Sequence, residues 1–354
     1  MSPMFWLNHI LNFILPLLSC HIDKKKFKKY LLALILEDKY FSVRRFSRTT
    51  QEYSQDQFYY FLKTKINWNK IFIRLAKIVI LMFGKAGFYL TSDGTPLKQR
   101  HATHRITKHG HISIEGRKNI PQNELISIGL TNRVIYIPIL WDIWVSPKVC
   151  KKRDYKSKPE IFLNLLKKYL ILQIPIKTVM FDSFFTSKEI FKWLIKKEFK
   201  LTTRIKKNRT VYLNGIKYIL DDLNLKENES IVCTIKGMDE QFKIFMFYHK
   251  NEEVYACTND ISLTDEELKA QYKSRWEVEV FHRESKQKLG LENFQVEDWQ
   301  KLVNHVGFVC LAYSLLSILR HKCGGSIGDV KFNLQDDVYG LSTSSDTFEK
   351  KLAS

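Results

Sequence analysis

Two periodicities divide the chain. From residue 1 to about residue 85, apolar positions recur at the three- and four-residue spacing of amphipathic helices. Phe27 to Glu37 carries that spacing, and Ser42 to Ser47 predicts a short helix. Ser54-Gln55-Asp56-Gln57 spells a capping box, in which the serine hydroxyl and the glutamine amide satisfy free backbone groups at a helix start. The helix it opens carries Phe58, Tyr59, Tyr60 and Phe61, followed by Lys63 and Lys65. Met4 to Leu18 is apolar but interrupted by Asn8, His9, Asn12 and Pro16. It is too short to cross a bilayer and no basic residue precedes it, so a buried helix is expected, and no membrane partner.

After residue 86 the period shortens. Gly87 to Ser92 predicts a strand that ends at the turn-like Asp93-Gly94-Thr95-Pro96. Leu125 to Leu130 and Val134 to Trp144 predict two more strands, split by Thr131-Asn132-Arg133. Pro159 opens a helix to about Leu172, Thr178 to Phe181 is a short buried strand ending at Asp182, Ser187 caps a helix to about Lys197, and Phe199 to Ile205 is again a strand. From 206 to about 262 the pattern is all β. Asn214-Gly215 between Val211-Tyr212-Leu213 and Ile216-Lys217-Tyr218 signals a tight hairpin. A second hairpin is expected over 230–248 and a further strand over 254–258. Thr264-Asp265-Glu266-Glu267 is another capping box, and helix continues from it, with one break near Gly290, to about Arg320. The expected organisation is therefore a helical region (1–85), a mixed α/β region (86–205), a β-rich insert (206–262), a returning helical part (263–322) and a loose tail (323–354).

Charge and composition narrow the class. Of 354 residues 45% are hydrophobic, enough for a packed core, and 57 Lys and Arg against 37 Asp and Glu leave a formal charge of +20. That excess repels itself unless a polyanion is the partner, and nucleic acid is the first candidate. In that light the helix, short helix, turn and basic-aromatic helix near the N-terminus resemble a helix-turn-helix arrangement. The six cysteines, Cys20, Cys150, Cys233, Cys257, Cys310 and Cys323, show no zinc-knuckle spacing and fit a reducing cytosol.

Three carboxylates carry the candidate chemistry. Tyr272, Arg275, Glu279 and Lys286 stand at offsets 0, 3, 7 and 14 on the expected helix. On a continuous helix they fall within roughly 60° of one another. One face would then present a phenol, two cations and a carboxylate. Asp93 and Asp182 each follow a short strand. If those strands are neighbours, both side chains emerge at one sheet edge, and with Glu279 they supply three hard oxygen donors suited to Mg²⁺ or Mn²⁺. Two such ions suit in-line phosphoryl displacement.

Tyr272-x2-Arg275-x3-Glu279-x6-Lys286, with Phe181-Asp182-Ser183-Phe184-Phe185 and Ser92-Asp93-Gly94-Thr95-Pro96, resembles the YREK signature and aspartate segments of the insertion-sequence-4 family of DDE transposases. The likeness covers about residues 25 to 320. It implies an RNase H-like mixed sheet with flanking helices, an all-β insert before the catalytic Glu, and a helical N-terminal domain that binds DNA. It implies that Asp93, Asp182 and Glu279 are catalytic and bind two Mg²⁺ or Mn²⁺ ions, and that Tyr272, Arg275 and Lys286 hold phosphates. The activity implied is metal-dependent cleavage at transposon ends and strand transfer into double-stranded DNA, by a homodimer in a bacterial cytoplasm. Some relatives use an insert Trp to receive a flipped base. This chain has none between Trp193 and Trp276, so Tyr212, Tyr218, Phe242 or Phe245 would have to stack instead.

Arg204, Lys206, Lys207 and Arg209, where the sheet leaves for the insert, are expected to touch the DNA backbone. His101, His104, His109 and His111, among Lys98, Arg100, Arg105 and Lys108, read as a basic loop rather than a metal nest. The run Lys24, Lys25, Lys26, Lys28 and Lys29 sits where a helix dipole disfavours cations. The rival readings are a catalytically inactive DNA-binding remnant and an RNase H-like nuclease without strand transfer.

Overall fold

The computed structural model describes residues 2–38, 41–84, 87–98, 108–110, 120–147, 154–249, 251–294 and 298–339. The histidine-rich loop expected after the first aspartate lies almost wholly outside them. The chain divides into two compact units: residues 1–79, 97–122 and 282–354, and residues 80–96 and 123–281.

The first unit is mainly helical. Its N-terminal helices are α1 (Pro3–Ile14), α2 (Lys24–Leu36), α3 (Val43–Thr50), α4 (Gln55–Phe61) and most of α5 (Trp68–Phe83). The predicted box closes α4, where Ser54 and Gln57 bond reciprocally. Helix α10 (Trp299–Cys323) is long and apolar enough to cross a membrane by length and composition. Yet 94% of its apolar window is buried inside the structure, as for a core helix. Phe308 of α10 meets Phe27, Tyr30, Phe61 and Trp68 in one aromatic cluster. Beside it, buried His305 bonds the Tyr30 hydroxyl and the Gly290 carbonyl, each at 3.1 Å. Burial drives its pKa down to about 4, so it is neutral at physiological pH.

The expectation of a loose tail from Cys323 is corrected over residues 327–339, which form helix α11 (Ile327–Tyr339). Ser326 and Asp329 cap its start reciprocally, and Ile327, Val330 and Leu334 bury one face. Lys331 is 96% covered on its side chain. It donates to the backbone carbonyl of Glu37 and, at 2.8 Å, to that of Lys288, and pairs with Asp38 at 3.2 Å. Gln335 donates to the Leu36 carbonyl at 2.7 Å. A cation and an amide from α11 thus satisfy carbonyls left open at the end of α2.

The second unit is built on β1 (Tyr89–Lys98), β3 (Ile120–Thr131), β4 (Tyr136–Trp144), β5 (Val179–Phe181) and β6 (Leu201–Ile205), in the order β4-β3-β1-β5-β6. The three-residue β2 (Lys108–Gly110) pairs with the start of β3 in the first unit. Strands β3 and β4 are antiparallel, while β1 with β5 and β5 with β6 are parallel. This is the strand order of the RNase H-like fold. Helices α6 (Lys158–Leu172) and α7 (Lys188–Lys196) are the connections that parallel neighbours need.

The all-β stretch comprises β7 (Thr210–Leu213), β8 (Ile216–Ile219), β9 (Ser230–Ile235), β10 (Gln241–His249) and β11 (Glu252–Thr258). Asn214 and Gly215 both take positive φ, 50° and 81°, as the predicted hairpin requires. The stretch is not a separate layer. Strand β11 pairs antiparallel with β6, so the sheet continues through β11-β10-β9-β7-β8.

Two sequence expectations change at this level. Strand β1 does not end at Asp93 but runs on to Lys98. Its pairing with β5 stops at Ser92, so Pro96, which has no N–H to offer, meets no ladder on that side. The helix opened by Thr264 is also broken, into α8 (Asp265–Ser274) and α9 (Trp276–Lys288). Arg275 N bonds Tyr272 O at 3.1 Å and Val278 N bonds Arg275 O at 3.2 Å, a tightened three-residue step in place of the regular four.

Candidate active site

Strand register brings the two aspartates together. Ser92 pairs with Phe181 across β1 and β5, and Phe181 with Thr203 across β5 and β6. The next residues in that row are Asp93 on β1, Asp182 just past β5 and Arg204 on β6, at the ends or within three adjacent parallel strands spaced about 4.8 Å apart. All three line one cavity of about 350 Å³, with Tyr272, Arg275, Trp276 and Glu279 from α8, α9 and the step between them, and His249, Glu252 and Val254 from β10 and β11.

Each carboxylate has its own support. Asp93 Oδ1 accepts the Gly94 amide at 2.8 Å. A Cβ at Gly94 would stand 2.5 Å from Glu124 Oε1 and 3.1 Å from Ile126, so the smallest residue lets β3 approach here. Asp182 caps the 3-10 turn Ser183–Phe185, accepting the Phe184 amide at 3.2 Å. Glu279 accepts from Arg275 Nη2 at 2.7 Å.

Arg275 is the hub. Its side chain is 5% exposed, and its guanidinium lies 2.7 Å from Glu279 and 3.7 Å from Asp93. Its Nε and Nη1 are buried without a hydrogen-bond partner. Burial works against its charge, but Tyr272, Asp93, Glu279 and Asp182 together hold it protonated above the ordinary arginine range. The Tyr272 ring lies 5.5 Å from the guanidinium carbon. Tyr272 also packs with Phe245, Phe247, Val254, Ala256 and Leu268, which fixes α8 on β10 and β11, and burial raises its phenol pKa. Burial likewise pushes the Asp93 carboxyl up to about 7; Arg275 and the Gly94 amide oppose the shift, and the charges of Asp182 and Glu279 reinforce it.

The donor set fits a hard divalent ion: three carboxylates on one cavity, two of which raise the pKa of the third, an excess of negative charge that a cation relieves. Their present positions do not form a closed nest. Among the described residues no group of three His, Cys, Asp or Glu is close enough to hold an ion, and Arg275 bridges Asp93 and Glu279.

Of the other expected site residues, Arg204 reaches the cavity but is engaged by Glu252 at 3.4 Å and the Glu253 carbonyl at 3.0 Å. Lys207 pairs with Asp221 at 3.4 Å, and Lys206 is exposed; neither lines the cavity. Lys286 does not line it either. It belongs to the first unit and pairs with Glu292 at 2.7 Å. Of the single face expected for Tyr272, Arg275, Glu279 and Lys286, the first three share the cavity across the step at Arg275, and Lys286 lies outside its lining. The sequence reading missed His249, Glu252 and Val254, which only the long-range pairing of β11 with β6 brings to this wall.

Two family models match the chain. One, described as transposase DDE domain, covers residues 149–315; the other, described as DDE superfamily endonuclease, covers residues 16–221. The first range holds Asp182 and Glu279, the second Asp93 and Asp182. No curated protein matches the chain significantly.

Proposed function

The chain belongs to the DDE superfamily endonucleases, and from that premise we propose that it is a transposase of the insertion-sequence-4 type, which cleaves DNA at the ends of its element and joins them to target DNA. The observation that carries the reading is the meeting of Asp93, Asp182 and Glu279, from three distant parts of the chain, on one cavity with a buried arginine between two of them.

Asp93, Asp182 and Glu279 would hold two Mg²⁺ or Mn²⁺ ions. Bound there, such ions activate a water or 3′-hydroxyl and stabilise the leaving oxygen of an in-line displacement. The protein's own groups do the rest. Arg275 Nε and Nη1 make no hydrogen bond within the protein, although Nη1 lies 3.7 Å from Asp93, and both would turn to non-bridging oxygens of a phosphodiester, where charge-assisted bonds are the strong ones. Tyr272 holds the guanidinium in place from the core side. Arg204, Lys206 and Lys207 follow the strand that leaves the cavity and would track the DNA backbone. Lys286, paired with Glu292 in the free protein, would exchange that partner for a phosphate. The helices of the first unit, with exposed Arg44, Arg45 and Arg48 on α3 and exposed Tyr60 on α4, would grip the terminal repeats of duplex DNA. Joining two ends calls for a homodimer.

The test is cleavage of a duplex that carries the DNA flanking the gene, with Mg²⁺ or Mn²⁺, by the wild type and by Glu279→Gln. Metal-dependent nicking lost in the variant is the expected result; nicking that survives refutes the role of Glu279. An added target plasmid separates the transposase from a nuclease that only hydrolyses, since the transposase yields joined products.

A further inference from the structure

His249 is the last residue of β10 and pairs in register with Glu252 across the β10–β11 turn. The hairpin carries it to the wall of the cavity that holds the three carboxylates. Its ring lies on Trp276, centroids 4.8 Å apart and planes 38° from parallel. Its Nε2 is buried and has no hydrogen-bond partner in the protein. Buried nitrogens are normally paired, and an exception on a cavity wall asks for a partner from outside the chain.

We propose that His249 Nε2 donates a hydrogen bond to a phosphate oxygen of the DNA strand lying in this cavity, making His249 a substrate-contacting residue supplied by the β-rich stretch. The proposal rests on the endonuclease reading of the site. The chemistry of the surroundings selects the ligand. Arg204 is spent on Glu252 and the Glu253 carbonyl, and Arg275 Nη2 on Glu279. The imidazole N–H therefore joins Arg275 Nε as a donor with no hydrogen-bond partner, and Arg275 Nη1 has only the 3.7 Å ion pair with Asp93. A metal is a weaker match, because the carboxylate set selects hard ions that prefer oxygen over imidazole. The volume, about 350 Å³, is at the small end for ligand pockets and suits one backbone unit rather than a duplex.

Two variants separate a hydrogen-bond role from a packing role. His249→Phe keeps a ring on Trp276 and removes the N–H; His249→Gln removes the ring and keeps an N–H at similar reach. Binding is read as Kd of the full-length protein for a duplex from the DNA flanking the gene, and for the same duplex carrying a single neutral methylphosphonate at successive positions. Thermal unfolding checks that each variant is folded. His249→Phe is expected to weaken binding about tenfold or more, and His249→Gln to keep most of the affinity. At one backbone position the methylphosphonate should weaken the wild type to the level of His249→Phe and leave the variant unchanged. Wild-type affinity in folded His249→Phe overturns the proposal. So does a loss confined to His249→Gln, or a deficit that no methylphosphonate position abolishes. The wild type's metal-dependent nicking is scored separately. Its absence with normal DNA binding sinks the endonuclease reading, while the Kd comparison still decides His249.

Discussion

Replacing Asp93 by Asn should stabilise the metal-free protein in a pH-dependent way. Burial holds the Asp93 carboxyl at about 7, against 3.8 for the free side chain. A gap of about three units corresponds to ~4 kcal/mol. The folded protein holds this proton more tightly than the unfolded chain does. The associated stability is therefore fully present below about pH 4 and is lost as pH rises through about 7. Asn has no proton to lose. The unfolding free energy of Asp93→Asn minus that of the wild type should rise by about 2–3 kcal/mol between pH 5 and pH 8 and level off above. Altered contacts with Arg275 would displace the whole difference curve without changing its slope. Urea unfolding followed by tryptophan fluorescence, in buffers with chelator at stepped pH, gives the difference directly. Saturating Mg²⁺ should shrink it at pH 8, because a ligand of the ionised carboxylate stabilises only the wild type. A flat difference from pH 5 to pH 8 would mean that Asp93 ionises as an ordinary carboxylate and would refute the electrostatic account of the site.

Gly307 sits inside α10, where helix propensity alone predicts that Ala would gain about 1 kcal/mol. A Cβ there would stand 2.1 Å from the buried Trp68 ring, which Asn304 holds by a 3.0 Å bond to Nε1. Gly307→Ala is expected to lower the melting temperature, at a cost of about 1–3 kcal/mol from overpacking; a raised melting temperature would contradict this packing. Lys206→Met should weaken duplex binding whatever the sequence, and reduce the slope of log K against log salt by about one. An unchanged slope would remove Lys206 from the proposed DNA-binding surface.

Much of this was readable in the sequence because local chemistry decided it. Ser54 with Gln57 and Thr264 with Glu267 form the boxes their spacing spells, and Asn214-Gly215 makes the hairpin. Asp182 follows a strand as expected, since β5 has only three residues and a turn must come next. The neighbouring aspartate was misjudged because Gly94 and Pro96 look like a turn, whereas a one-sided ladder tolerates both. The break at Arg275 carries no Gly or Pro. It is set by tertiary demands, with Tyr272 fixed in the core beneath β10 and β11 and the guanidinium turned to two carboxylates. Lys286 showed the limit of reading one helix face, for its partner Glu292 is reached only after the chain turns past Gly290. His249 was out of reach for another reason. Nothing in Phe247-Tyr248-His249 announces a cavity, and the wall exists only once strands far apart in sequence have paired.

The way α11 is fastened bears on how a shortened chain would behave. Lys331 and Gln335 close the carbonyl end of α2 and Lys331 also that of α9, so these helices depend on the helix that follows α10. Truncation before Ile327 would spare Asp93, Asp182 and Glu279 and still expose the apolar surfaces that Val330 and Leu334 cover, with open carbonyls beside them. Chains shortened there should be cleared by proteolysis rather than accumulate as folded protein.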